Sequence, residues 1–218
     1  MAQEPMTRTM TIHVSVAMTI DGYIDDRSAR RLVLSSDEDL ADMRAARARC
    51  DAVLVGAGTV RNDDPSLRAP EGMTAPTRVT LTRSGNLDPQ ARMFDGSART
   101  IVLTTAETAG PLRSVLADRA EVHALSLLTP VSIVASLQSL GIGSLFVEGG
   151  TQVLTAFLAA GSFDRLRLAV APFFAGEGGG ARIVDPARFA DDAGHRLILR
   201  GARLLGDTAV LDYERHPA

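Results

Sequence analysis

Asp51-Ala-Val-Leu-Val-Gly56 is a short apolar run that stops on a glycine, and Ala57-Gly58-Thr59-Val60-Arg61 follows it directly. The run reads as a buried strand. The glycine marks the point where the chain turns into a short helix, which Pro65 must end. Working outward, Met10–Ala17 alternates as a strand, with Ile12, Val14 and Val16 on one face and His13, Ser15 and Ala17 on the other. Asp21-Gly22 then marks a turn. Ser35 followed by Glu38 is a capping-box pattern, and Leu40, Met43, Ala46 and Cys50 recur at helical spacing between an acidic first turn and an arginine-rich last turn. Arg78–Thr82 and Thr100–Thr104 read as strands, and Pro111 and Pro130 stand where first helical residues are expected. Pro130 opens a helix stopped at Gly141, with Val131, Val134 and Leu137 on one stripe. Ser144–Val147 is a strand broken by Gly149-Gly150, after which a helix runs from about Thr151 to Ala160 and a strand over Arg165–Pro172. Arg196–Leu205 and Thr208–Tyr213 close the chain as a hairpin around Gly206-Asp207. Strands alternating with helices specify an α/β sandwich with a largely parallel sheet and an antiparallel C-terminal edge. Met1–Thr9 reads as a flexible tail and residues 10–218 as one domain.

The composition excludes several classes. At 218 residues the chain can bury a sizeable core, and 45% hydrophobic with 22% charged residues is a globular profile. A net charge of −3 predicts no broad nucleic-acid footprint. No apolar run approaches the roughly 20 residues of a membrane span. Met1–Thr9 has no secretory h-region, and the single cysteine, Cys50, forbids an internal disulfide, so a cytoplasmic address is expected. His13, His123, His195 and His216 stand at no metal-ligand spacing, so no metal is expected. No G-x-S-x-G elbow and no P-loop pattern occurs.

Three strand ends carry the chemistry. Gly56-Ala-Gly58-Thr59 has two glycines of a dinucleotide fingerprint but lacks the third, so a Rossmann reading is weak. What survives is a glycine-rich strand end whose free N–H groups suit an anion. Glu148-Gly149-Gly150-Thr151 repeats that arrangement, with a carboxylate at the strand's carboxyl end, where α/β proteins bind ligands. Thr82-Arg83-Ser84-Gly85 adds a guanidinium and two hydroxyls, suited to an extra phosphate such as the 2′-phosphate of NADPH. Each also reads blandly, as a tight turn, a helix-start glutamate and a solvated turn.

With these residues in place the sequence resembles the riboflavin-biosynthesis pyrimidine reductases. The motifs are Ala17-Met-Thr-Ile-Asp-Gly22, Asp51 through Pro65, Leu145-Phe-Val-Glu-Gly-Gly150, and Ala171-Pro172 with Gly176. The resemblance covers roughly Ile12 to Asp212 and looks like the stand-alone form, without a preceding deaminase. It implies a dihydrofolate-reductase-like three-layer sandwich, NADPH as cofactor, a homodimer, and a phosphorylated pyrimidine substrate whose ribosyl C1′ accepts hydride to give the ribityl form. By position, Ala17 should lie beside the nicotinamide. Gly56, Thr59, Asp63, Thr82, Arg83, Ser84, Gly85, Gly149, Gly150, Thr151 and Gln152 should border the cofactor. Ser35, Arg47, Asp63, Arg68 and Glu148 should face substrate, Arg47 and Arg68 as phosphate clamps and Asp63 and Glu148 as proton-handling carboxylates. Arg68 is offset by about two places from the family arginine. Analogy with dihydrofolate reductase implies a cis Gly149–Gly150 peptide. Ser15 and Tyr23 replace lysines of the bifunctional bacterial enzymes, which leaves open a same-fold reductase of another pterin- or pyrimidine-like molecule.

Overall fold

The computed structural model describes residues 10–28 and 32–216, so the expected tail Met1–Thr9 lies outside the described residues. Nine strands form one sheet, ordered β5-β4-β3-β2-β6-β1-β7-β9-β8. Strands β1 (Thr11–Thr19), β2 (Ala52–Gly56), β3 (Thr77–Leu81), β4 (Thr100–Thr105), β5 (Glu121–Leu125), β6 (Ser144–Gly149) and β7 (Arg165–Ala171) run parallel. Strands β8 (Ile198–Leu205) and β9 (Thr208–Glu214) add the antiparallel edge. The expected α/β architecture is therefore present, and helices cover both faces. On one face α4 (Pro130–Ser139) and α5 (Thr151–Ala159) bury Ile133, Leu137, Leu154 and Phe157 against Ile12, Val14 and Leu54. On the other, α3 (Ala106–Leu116) buries Leu112 and Leu116 in a second cluster with Val53, Val55 and Phe146. Strand β2 serves both clusters because successive side chains point to opposite faces.

Three local readings are corrected, and one strand is added. Ser36, not Ser35, caps α1 (Asp37–Arg47), its hydroxyl accepting from the Asp39 N–H at 3.1 Å. Pro111 is not a first helical residue but the sixth of α3, on the helix's exposed side, where water can replace the missing N–H. Strand β5 escapes the sequence pattern because only Val122 of its five residues is buried. The Gly149–Gly150 peptide is trans, and Gly149 makes the turn instead at φ +106°, where an added Cβ would approach Leu154 within 3.1 Å. The short helix α2 (Ala57–Asp63) does stop before Pro65, with Asp64 in the left-handed region at φ 40°.

Helix α1 is unusual in what it buries. Its two buried residues are Asp39 and Arg47, one near each end, while Leu40, Met43 and Ala46 are only half-buried. Each buried charge meets an opposite charge on the sheet. Asp39 pairs with Arg167 of β7 at 2.5 Å, and Asp42 joins the same guanidinium at 2.8 Å. At the other end Arg47 grips Glu148 of β6 with Nε and Nη2. The N-terminus of α1 is also tied to the β8–β9 hairpin, because Ser36 Oγ donates to the Leu205 carbonyl at 2.8 Å and Arg203 reaches Asp42 at 3.0 Å.

A second fastening holds the turn after β1. The Asp21 carboxylate accepts from the Thr19 hydroxyl at 2.6 Å and from the Ala175 and Gly176 amides at 3.0 and 2.8 Å. Arg182 lies 4.5 Å from the Tyr23 ring centroid across the same junction.

Two expectations follow from these contacts. Removing one partner of a buried pair strands the other, so Arg47→Ala should lower unfolding free energy by about 3–5 kcal/mol in denaturant titrations, and Arg47→Ala with Glu148→Gln should cost less than Arg47→Ala alone. The Thr19 hydroxyl and then the Gly176 and Ala175 amides hold the Asp21 carboxyl down to about 2. A depressed folded value means the fastening is fully present above the ordinary value of 3.8 and is lost as pH falls through about 2. The Ala175 and Gly176 amide resonances should titrate with a midpoint near 2, and Asp21→Asn should remove that transition.

Candidate active site

Two clefts meet at the carboxyl ends of β2, β6 and β1. The first, about 490 Å³, lies between α1 and the sheet and is lined by Ser15 and Ala17 of β1, Leu40 and Met43 of α1, Asp63 of α2 and Glu148. The second, about 370 Å³, is lined by Gly56, the Thr82–Ser84 turn, Gln152, and the apolar side chains of Leu128, Ile133 and Phe157. Gly58, Thr59, Gly150 and Thr151 line both, so the clefts adjoin at these four residues.

Local irregularities set this geometry. Between β2 and β6 the register shifts, pairing Leu54 with Val147 but Val55 with Gly149. Glu148 is the extra residue of a bulge, and a bulge re-aims a side chain at a sheet's functional edge. Thr59 Oγ1 then accepts the Gly150 N–H at 3.1 Å, which ties α2 to the start of α5. Gly150 caps α5 without a side chain, so no side chain competes for its first amides. At the third strand end, Thr82 Oγ1 accepts the Gly85 N–H at 3.1 Å and Gly85 takes φ +71°, which fixes the turn that presents Arg83 and Ser84.

Most residues singled out from the sequence gather here. Ala17, Ser35, Asp63 and Glu148 line the first cleft. Gly56, Thr82, Arg83, Ser84 and Gln152 line the second, and Thr59, Gly150 and Thr151 stand at the junction. Gly85 and Gly149 shape turns rather than line a cleft.

The two expected phosphate clamps are corrected. Arg47 lies behind Glu148, with an 8% exposed side chain, and its Nη1 donates to the Arg68 carbonyl at 3.3 Å. Its donors are spent on the protein, so it orients the Glu148 carboxylate instead of facing the cleft. The Arg68 side chain points elsewhere, to Asp95 at 3.0 Å, and lines neither cleft.

The two buried charged residues of the first cleft's lining, Asp39 and Arg167, escaped the sequence reading. Arg167 carried a legible signal, a charge two and four residues before Ala169 and Ala171 in the same strand and so on the face that they bury. Asp39 carried none, because an aspartate in a first helical turn is ordinary. Burial alone would raise the neighbouring Asp42 carboxyl, but hydrogen bonds from Arg203 and Arg167 outweigh it and bring it below the usual range. No cluster of candidate metal ligands occurs among the described residues, and no described helix is long and apolar enough to cross a membrane.

Comparison with known proteins identifies the arrangement. The family model for the RibD C-terminal domain matches residues 10–211. The 2,5-diamino-6-ribosylamino-4(3H)-pyrimidinone 5′-phosphate reductase of Methanothermobacter thermautotrophicus is 30% identical, over 92% of this chain and 95% of its own. The riboflavin biosynthesis protein RibD of Mycobacterium tuberculosis is 32% identical over 90% of this chain, which spans only 50% of that protein. The crystal structure of a deaminase/5-amino-6-(5-phosphoribosylamino)uracil reductase from Thermotoga maritima superposes with a TM-score of 0.81 at 25% identity, covering 95% of this chain and 57% of that one. The chain belongs to the RibD C-terminal-domain family of reductases, with the dihydrofolate-reductase-like fold of that family.

Proposed function

We propose that this chain is an NADPH-dependent reductase of riboflavin biosynthesis, acting on the ribosyl C1′ of a 5-amino-6-(5-phosphoribosylamino)pyrimidine. The observation that carries this reading is that the two clefts adjoin at Gly58, Thr59, Gly150 and Thr151. A cofactor laid in one can then meet a substrate held in the other.

The second cleft fits a dinucleotide. Its glycines leave room for close approach: a Cβ on Gly56 would come within 3.1 Å of Val153, and one on Gly150 within 3.2 Å of Thr59 Oγ1. The amides that open α5 suit a pyrophosphate, and the apolar wall of Leu128, Ile133 and Phe157 suits a flat ring. Arg83 is exposed and makes no ion pair with a described residue, so it is available to a 2′-phosphate.

When bound, the nicotinamide supplies the hydride that C1′ accepts. The chain's own work is orientation and proton handling. Ala17 lines the first cleft with a side chain small enough to leave space beside a ring. Arg47 acts through Glu148 as a positioning residue, fixing both carboxylate oxygens. Glu148 is thereby set to accept hydrogen bonds from substrate donors, while Asp63, on the facing helix, handles the proton needed at the ribose oxygen or pyrimidine nitrogen as the sugar opens. A cytoplasmic homodimer completes the proposal. Leu199 and Leu204, exposed on the edge strand β8, support a second copy, and the lone buried thiol of Cys50 suits a reducing compartment.

The reading is tested by NADPH oxidation with the two pyrimidine phosphates, amino and deaminated, and with dihydrofolate. Turnover of dihydrofolate alone would replace it. Glu148→Gln should lower kcat/KM about 100-fold per folded molecule and leave NADPH affinity unchanged. Normal turnover would make Glu148 structural. NADPH should be preferred to NADH by about 30- to 150-fold, equivalent to roughly 2–3 kcal/mol, and Arg83→Ala should shrink that ratio by weakening NADPH alone, as read from fluorescence titration of each nucleotide.

A further inference from the structure

A third cavity, about 650 Å³, lies between the second half of α1 and the strands β1, β7, β9 and β8. Of its lining residues only Arg167 also lines the first cleft, and none lines the second. Its floor carries two rows of charge. In one, register sets Arg167 beside Asp212, and Arg203 Nε donates to Asp212 at 3.1 Å. Asp39 and Asp42 of α1 close over this row, so three carboxylates meet two guanidinium groups and its charge is spent.

The other row is not neutralised. Register sets His13 beside Arg165, and Arg165 beside Glu214. Arg200 joins them from a bulge in β8, where Leu199 pairs with Tyr213 and Gly201 with Asp212. Arg165 and Arg200 each donate Nε to a different oxygen of Glu214, at 3.1 and 2.8 Å. An arginine committed to a carboxylate grips it with Nε and Nη2 together, as Arg99 grips Glu121 at 2.7 and 2.9 Å. Here one carboxylate only spaces two arginines, and their Nη groups make no hydrogen bond among the described residues. Arg49, exposed just beyond α1, lines the same cavity and enters no ion pair among the described residues. Three guanidinium groups thus share one carboxylate, and their mutual repulsion favours an anion.

The unspent donors define the ligand. Guanidinium forks match phosphate oxygens in geometry as well as charge. The cavity has the size of a small-molecule site, and Ala46 and Phe146 add apolar wall. We propose that it binds a phosphorylated small molecule through Arg49, Arg165 and Arg200, outside the two clefts already described. A second copy on β8 leaves it open. The exposed Leu199 and Leu204 pair with Tyr213 and Ala209, on the opposite face of the sheet from Glu214.

His13 supplies a readout. It is half-buried in the cavity lining, and burial first and Arg165 second hold its imidazole below the ordinary value, with Asp164 opposing them. Asp164 itself stands outside the cavity, accepting the Ile12 N–H at 2.7 Å. An anion beside these groups favours the imidazolium, so occupancy should raise the titration midpoint of His13.

Inorganic pyrophosphate is the probe, added at constant ionic strength and compared with sodium chloride. The ring resonances of His13 should shift saturably and its midpoint should rise. Arg165→Gln with Arg200→Gln, both at exposed side chains, should weaken the binding read by calorimetry about 10- to 100-fold, the range of hydrogen bonds between charged groups. Arg83→Ala should leave the His13 response as it was, which separates this cavity from pyrophosphate held in the second cleft. A response that does not saturate, one that sodium chloride reproduces, an unmoved His13 midpoint, or an affinity untouched by the double variant would overturn the inference. Should the double variant fail to fold, the saturation and the His13 midpoint of the unmutated protein still decide. Neither readout uses turnover, so failure here leaves the reductase reading standing, and loss of that reading leaves this site standing.

Discussion

The two ion pairs that fasten α1 to the sheet govern the rest of the structure. A helix over a sheet ordinarily buries an apolar stripe, and the stripe fills the space between them. Helix α1 buries Asp39 and Arg47 instead, about 12 Å apart along its axis by the 1.5 Å rise per residue. Each reaches across to a charge of opposite sign on a different strand, Arg167 on β7 and Glu148 on β6. Charges on long side chains hold the helix off the sheet at both ends. The half-buried Leu40 and Met43 between them become a cleft wall instead of core. The acidic first turn and basic last turn suit the helix dipole as well as the sheet, so one distribution of charge serves both.

The opposite wall depends on backbone irregularity. A regular β6 would carry Glu148 in step with β2, and the bulge takes it out of step. Gly149 at φ +106° and the bare cap at Gly150 then turn the chain within two residues, and Thr59 locks the turn from α2. Each wall is thus built from an interaction that packing alone does not favour. Such departures concentrate where a protein must leave room for a ligand.

How much of this was legible in the sequence follows from the kind of signal each part leaves. The parallel strands announce themselves as apolar runs, and Gly56, Gly149 and Gly150 mark the strand ends that become the cleft junction. Thr82 through Gly85 was legible as a turn with phosphate chemistry because its residue types are unusual together. Strand β5 was not, since a mostly exposed edge strand has no reason to alternate cleanly. The cap on α1 was misplaced by one residue because Ser35 and Ser36 are adjacent and each has an acidic residue three places on, Glu38 and Asp39. The roles of Arg47 and Asp39 were illegible for a deeper reason. A charged side chain in a helix reads the same whether it faces solvent, a ligand or a partner 101 or 128 residues away.

The hydrogen bond from Ser36 to the Leu205 carbonyl has a consequence for synthesis of the chain. Ribosomes release the N-terminus first, and β1 and α1 emerge long before β8 and β9. Yet the start of α1 is pinned by Leu205, by Thr208, whose hydroxyl accepts the Ser36 N–H at 3.4 Å, and by Arg203 through Asp42. The cleft wall therefore settles only after the last hairpin has left the exit tunnel. A nascent chain truncated before it could complete much of the apolar core and still lack a finished cleft.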